Sequence, residues 1–255
     1  MSIDRATRRA RFRVLHKSGC FLLPNPWDVG SAKRLAAMGF EALASTSSGA
    51  AWTQGRQDGE LTLNEVLAHL EVLCAATDLP VNADFEAGFA DKPAGVAENV
   101  LRAVQTGVAG LSIEDNVRGH LYDVTAAVER IAAARGAIDR SGEDVVLVGR
   151  SEGFLLEAPS LEDTIKRLVA YADAGADCLY APGVQDLSAI REIVAAVAPK
   201  PVNVLLNKPG LRVDELAAAG VRRISTGGAL AAAAWSGFER AARMLRDEGT
   251  MPPRG

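Results

Sequence analysis

Apolar positions along this chain alternate between two rhythms. Short runs rich in aliphatic and β-branched residues occupy 20–26, 41–48, 80–86, 110–116, 145–153, 177–183, 201–207 and 222–228. Between them the apolar residues recur at helical spacing, as in "LTLNEVLAHLEVLCAAT" and "SLEDTIKRLVAYADAG". The first rhythm predicts strands and the second amphipathic helices, and the pair repeats every ~30 residues. End signals agree. Ser160 stands at the N-cap of the second quoted helix, Glu162 and Asp163 fill its first turn, and Gly175 closes it. Four helices end in similar words: "AAMGFEAL", "QTGVAGL", "DAGADCL" and "AAGVRRI". A glycine that stops the helix, a short turn and the next strand is what a series of βαβ units requires.

Eight strands alternating with eight helices in 255 residues predict one (β/α)8 TIM barrel over 1–255, with an N-terminal helix within 1–19 and the last barrel helix at 231–249. The competing architecture is a doubly wound open sheet. That fold usually carries a glycine-rich first βα turn, and "PNPWDVGSA" contains no GxGxxG.

Composition narrows the classes. A chain 48% hydrophobic and 24% charged can build a large core. A formal net charge of −4, with arginines scattered along the chain, argues against a nucleic-acid partner. The one basic run, "RATRRARFR", reads as a solvated first helix. Cys20, Cys74 and Cys178 are odd in number and widely spaced, which fits a reduced, intracellular compartment. No apolar run approaches the ~20 residues of a membrane span, so a cytoplasmic protein without a membrane partner is expected.

Chemistry in such a barrel gathers at the carboxyl ends of the strands. Those ends offer Asn25 and Asp28, then Ser45, Ser47 and Ser48, then Asp84 and Glu86, then Glu114, Asp115 and Asn116, then Arg150 and Glu152, and late in the chain Asn203, Asn207 and "STGG". Asp84 and Glu86 lie two apart on one strand and point to the same side. Burying such a pair is costly unless a cation lies between them. With Glu114 and Asp115 on the next strand and no His or Cys nearby, the donor set is all oxygen. It selects Mg2+ or Mn2+, reached in part through water.

Other chemistries fit less well. A Schiff-base lysine would have to sit in a strand, but Lys200 precedes one and Lys208 follows it. A zinc hydrolase needs histidines at strand ends; His16 and His69 read as helix-surface residues, and only His120 lies near the mouth. The glycines of "ISTGGAL" either grip a phosphate at a helix N-terminus or let strand and helix pack closely; both readings stay open.

The stretches "NPWDVGSAKRLAAMGFEALASTSSGAAW", "DGELTLNE", "PVNADFEAGF", "GLSIEDN" and "VVLVGRSEGF" together resemble the isocitrate lyase / phosphoenolpyruvate mutase superfamily, from about residue 20 to about residue 245. The resemblance implies a Mg2+-dependent barrel enzyme that makes or breaks a C–C or C–P bond beside a 2-oxo-acid. It implies that Asp84, Glu86, Asp58 of "GRQDGE" and Glu114 of "IED" serve the metal. Ser48, Gly49 and Ala50 match a loop holding a substrate carboxylate. Trp27, Asp28 and Asn203 complete the expected substrate contacts, and Arg150 matches the arginine that neutralises developing negative charge. Arg150 could equally pair only with Glu152 or Glu114.

Family members gate the site with a loop after the fourth strand that supplies a cysteine or a lysine. Here that loop is "EDNVRGHLYD", with neither. His120, with Arg118 beside it, is left as the candidate proton donor, so Arg150, His120 and Glu114 form the expected catalytic set. The loss points away from isocitrate cleavage. It favours a lyase or decarboxylase of a small 2-oxo- or 2-hydroxy-dicarboxylate acting through an enolate. C–P chemistry on phosphonopyruvate is the alternative, and a barrel that binds a metabolite without turnover is a third reading. The resemblance also implies a homo-oligomer, dimer or tetramer.

Overall fold

The computed structural model describes residues 3–156 and 160–253. In chain order the strands are β1 (Phe21–Leu23), β2 (Leu43–Ala44), β3 (Val81–Asp84), β4 (Gly110–Glu114), β5 (Asn116–Val117), β6 (His120–Leu121), β7 (Val146–Arg150), β8 (Cys178–Tyr180), β9 (Val202–Leu205) and β10 (Arg223–Ser225). Eight of them form one parallel sheet in the order β1-β10-β9-β8-β7-β4-β3-β2, while β5 and β6 pair as a separate hairpin. The two sheet edges meet where the Ala44 N–H donates to the Pro24 carbonyl at 3.1 Å. The result is a nearly closed (β/α)8 barrel, as the alternating rhythm predicts.

The surrounding helices are α2 (Val29–Ala37), α4 (Leu63–Ala76), α5 (Pro93–Gln105), α6 (Val124–Ser141), α7 (Leu161–Asp173), α8 (Leu187–Val197), α9 (Val213–Ala218) and α10 (Ala229–Glu248). Two more, α1 (Arg5–Leu15) and α3 (Ser47–Thr53), lie outside that series. Ser160 caps α7 by accepting from the Asp163 N–H at 3.2 Å. The four glycines of the repeated helix ends, Gly39, Gly107, Gly175 and Gly220, all have φ between 86° and 103°. Such a backbone suits glycine and ends a helix cleanly.

Helix α1 closes the floor of the barrel, which corrects the reading of its basic run as solvated. Phe12 is fully buried and packs against Phe21, with ring centroids 6.2 Å apart. A Cβ on Gly110 would come within 2.7 Å of the Phe12 ring, so glycine is what lets the plug seat. Arg9 donates to the carbonyls of Val104 at 2.7 Å and Val108 at 3.0 Å, and Arg13 to Asp144 at 2.6 Å and Asp177 at 3.0 Å. His16 is not a surface residue either. Its Nδ1 lies 2.8 Å from the Phe12 carbonyl, and burial, aided by Arg223, pushes its pKa down to about 3. His69 on α4 is likewise half-buried, and burial lowers its pKa.

Just above this floor a polar layer crosses the barrel interior. The buried Arg223 guanidinium donates to Asn203 Oδ1 at 3.0 Å and Asn82 Oδ1 at 3.3 Å, and Asn203 Nδ2 donates to Ser225 Oγ at 2.9 Å. Asn203 is therefore occupied deep in the barrel and not at its mouth, a correction to its expected substrate role. Its place on an inward-facing position was right; its depth was not.

Candidate active site

Alternation along the strands aims Asp84, Glu114 and Arg150 into the barrel mouth, and the register sets Glu114 directly beside Arg150. There Glu114 and Arg150 border a cavity of about 570 Å³ whose wall also includes Ser47, Asp58, Glu86 and Glu152, and Asp84 is tied to that wall through Arg150 and Ser47. Arg150 is the hub. Its Nη1 lies 3.2 Å from Asp84 Oδ1 and 3.4 Å from Glu114 Oε2, its Nε donates to Glu152, and its guanidinium stands 5.3 Å from the Tyr180 ring centre. Asp84 is fixed from its other side: its Oδ2 accepts from the Ser47 N–H at 3.0 Å and the Ser47 hydroxyl at 2.9 Å. The Asp84 N–H in turn donates to Ser45 Oγ at 2.8 Å.

One guanidinium does not neutralise this many acids. Burial and then the Asp84 and Asp58 charges push the Glu86 carboxyl up to about 8. Burial raises Glu114 well above the carboxylate range, with Arg150 opposing and Glu152, Asp84 and Glu86 reinforcing. Asp58 is raised by burial and by Asp84, and Glu152 by burial against the pull of Arg150. Burial alone would lower Arg150, but Glu152, Glu114 and Asp84 more than offset it and keep it charged. Excess acid held together with its protons is the signature of a place that a cation would relieve. The donors are all oxygen, with no His or Cys on the described cavity wall, which suits a hard divalent ion. Among the described residues no three His, Cys, Asp or Glu side chains are grouped so as to hold a metal ion as they stand.

Several expected contacts move. Strand β2 ends at Ala44 and α3 begins at Ser47, so the facing residue is Ser47 and not Ser48. Ser48 Oγ instead bonds to Thr46 Oγ1 at 3.0 Å. The Gly49 N–H caps onto Thr46 Oγ1 at 3.2 Å, and the Ala50 N–H enters the helix through the Thr46 carbonyl at 3.0 Å. Gly49 and Ala50 are both buried. Trp27 packs behind that turn, its Cβ 2.9 Å from where a Gly49 Cβ would lie. Asp28 is exposed and caps α2, accepting from the Ser31 N–H at 2.6 Å. His120 is exposed on β6 and stands off the cavity wall, where Arg118 and Gly119 take its expected place.

At the "STGG" turn two N–H groups are already taken and the glycines pack closely. Asn25 Oδ1 accepts from the Thr226 and Gly227 N–H groups, each at 2.9 Å, and a Cβ on Gly228 would meet Ser48 Oγ at 2.8 Å.

Asp115, the residue after the end of β4, points away from the mouth. Its buried carboxylate accepts from Tyr171 Oη at 2.6 Å, Arg167 Nη1 at 3.3 Å and the Glu152 N–H at 2.8 Å. It holds Glu152, and through it Arg150, in place. The sequence reading assigned no role to several wall residues, among them Arg130 and Leu155 in helical turns, Asp91 before α5 and Tyr122 after the hairpin. No local pattern marks them, since each reaches the cavity from a neighbouring unit.

The family model described as phosphoenolpyruvate phosphomutase matches residues 12–246. A solved structure of a candidate lyase/mutase from Burkholderia cenocepacia J2315 gives a TM-score of 0.94 at 47% identity, covering 97% of this chain and 91% of that one. A solved 2,3-dimethylmalate lyase gives 0.87 at 28% identity, covering 100% of this chain and 91% of that one. The oxaloacetate decarboxylase of Pseudomonas putida (strain GB-1) is 30% identical over 233 residues, 86% of this chain and 78% of that protein.

Proposed function

The chain belongs to the phosphoenolpyruvate phosphomutase family, within the isocitrate lyase / phosphoenolpyruvate mutase superfamily, and from that premise we propose that it is a Mg2+-dependent lyase or decarboxylase of a small 2-oxo- or 2-hydroxy-carboxylate. The observation that carries this reading is Arg150 among Asp84, Glu114 and Glu152 at the edge of an acid-lined cavity. Asp58, Asp84, Glu86 and Glu114 would hold Mg2+, in part through water, with Mn2+ as a substitute. When bound, the ion supplies Lewis-acid polarisation of the substrate's oxo or hydroxy oxygen. Arg150 supplies a fixed, planar cation against which an enolate can develop as the adjacent bond breaks. The 2,3-dimethylmalate lyase and oxaloacetate decarboxylase relatives support C–C cleavage. The hairpin between β4 and α6 has neither lysine nor cysteine, and His120 is exposed and off the cavity wall, which supports water over His120 as the proton source.

C–P chemistry is the second reading, supported by the phosphomutase family itself. A panel of 2-oxo- and 2-hydroxy-acids with Mg2+, assayed separately for pyruvate, glyoxylate, oxalate and phosphate, decides between them. The expected result is C–C cleavage of at least one small acid. Phosphate release or mutase transfer from phosphonopyruvate alone would replace it with the second reading. No turnover of any acid would leave a metabolite-binding barrel.

A small carboxylate is the partner this site implies. No described helix is long and apolar enough to cross a membrane. Assembly of copies is a separate proposal, resting on α10. In that 20-residue helix only Ala231 is buried, while Trp235, Phe238 and Leu245 are 39%, 63% and 55% exposed. A helix with so much unpartnered apolar surface supports a dimer or tetramer. Light scattering at micromolar concentration is expected to give a multiple of 26.8 kDa, and a monomer mass would refute it.

A further inference from the structure

The hairpin after β4 carries a residue at odds with its own turn. Asn116 pairs with Leu121 and Val117 with His120, which leaves Arg118 and Gly119 as a two-residue connection. Both have positive φ, 51° and 83°, as a type I′ turn demands. Gly119 suits that backbone, and its N–H donates to Asn116 Oδ1 at 3.0 Å. Arginine does not. An L side chain in the left-handed region costs on the order of 1 kcal/mol, and asparagine, aspartate or glycine is the residue such turns favour. A residue that works against its local structure marks a place where the side chain is wanted for something else.

What surrounds that side chain says what it is for. The ion pairs about the mouth join Arg150 to Asp84, Glu114 and Glu152, and Arg167 to Asp115 and Asp163. Among the described residues none includes Arg118, although Arg118 lines the same cavity. Arg130 lines it too. Its guanidinium stacks over Tyr122 at 4.3 Å and donates to the carbonyls of Ala87, Ala90 and Asp91, with no carboxylate among these partners. The cavity therefore has two characters. Its wall carries Asp58, Glu86, Glu114 and Glu152 around Arg150, and Arg118 and Arg130 where the hairpin and α6 reach it, with Asp91 beside Arg130. Arg130 is committed to backbone carbonyls, while Arg118 keeps its whole donor fork available.

We infer that Arg118 receives the distal carboxylate of a dicarboxylate substrate, the one farther from Arg150 and the acid cluster. The inference rests on the functional reading above and deepens it by assigning the residue that receives the second carboxylate. It makes Arg118 a specificity-determining residue, and it gives the strained turn a purpose.

Malate and lactate are the probes, because they share a 2-hydroxy-carboxylate and differ only in the distal carboxylate. Calorimetry with Mg2+ is expected to show the protein binding malate more tightly than lactate. Arg118→Asn places a favoured residue in the turn, so the hairpin is retained while the cation is lost. In that variant malate affinity should fall about tenfold to the lactate level, with lactate unchanged. Arg118→Lys should recover part of the loss, as it keeps the charge without the fork. Mg2+-dependent malate binding that Arg118→Asn leaves intact, or that weakens together with lactate, overturns the assignment and spares the functional reading. Failure of the unaltered protein to bind either acid with Mg2+ overturns both.

Discussion

Replacing Arg150 with lysine is expected to lower kcat by about a hundredfold or more while the barrel stays folded. The geometry explains why a conserved charge is not enough. The guanidinium reaches Asp84 at 3.2 Å and Glu114 at 3.4 Å through Nη1 while Nε serves Glu152. An ammonium at the end of a flexible chain satisfies one or two of these and cannot present a planar fork to the substrate. Arg150→Met tests something else. It strands several buried carboxylates without a counter-charge, a loss on the order of 3–5 kcal/mol unless they take up protons. The lysine variant is therefore the informative one, read by kcat on the acid that the panel identifies and by thermal unfolding. A rate within a few-fold of the parent would restrict Arg150 to holding the three acids together.

Removing Asp84 is expected to abolish Mg2+ binding and with it activity, as EDTA should in the unaltered protein. Stability against pH provides a readout independent of turnover. Burial, then Asp84 and Asp58, raise Glu86 from its ordinary 4.5 to about 8. Between those values the folded protein holds a proton that the unfolded chain has released. The unfolded state thus binds fewer protons, and the stability of the metal-free protein falls as pH rises through that window. A divalent ion competes with those protons, so its affinity climbs over the same range. Metal-free protein should melt several degrees lower at about pH 8 than at about pH 5. Mg2+ should restore most of that loss at the higher pH and add little at the lower. Asp84→Ala should show no Mg2+ response and, with one charge fewer beside Glu86, a flatter slope. A melting temperature indifferent to both pH and Mg2+ in the unaltered protein would sink the metal assignment.

The barrel was legible because every βαβ unit repeats the same instructions, down to the glycine that ends a helix before the next strand. The inward faces were legible for the same reason: a period of two carries Asp84, Glu114 and Arg150 to one side. Glu86, expected on the same strand as Asp84, instead lies past the end of β3 in a turn with φ 46° and reaches the cavity wall from there. Depth was not. Asn203 sits on an inward position yet lies in the floor layer with Arg223, because strand period says which face and not how far up. The substrate loop slipped by one residue where the chain changes period, since β2 stops at Ala44 and α3 starts at Ser47. Asp28 and Ser48 are polar residues claimed by local capping and turn bonds, which compete with a binding role. The basic run at the N-terminus looked solvated because its partners, Val104, Val108, Asp144 and Asp177, are about a hundred residues or more away. Contacts that distant leave no trace in local pattern.

The seam between β1 and β2 joins the mechanics of the barrel to the chemistry at its mouth. A sheet that nearly closes still has two edges, and here one main-chain bond, Ala44 to Pro24, links them. Asn25 does the rest. Its amide donates to the Ser45 carbonyl at 2.8 Å on one side, while its oxygen accepts from Thr226 and Gly227 on the other. A side chain thus stands in for a missing rung of the ladder. Ser45 also receives the Asp84 N–H, and Ser47 grips the Asp84 carboxylate. The clasp that shuts the cylinder and the arm that aims its central acid are consecutive links of one chain. Any breathing of the cylinder at that clasp would be transmitted to Asp84 before it disturbed the better-laced strands on the opposite side.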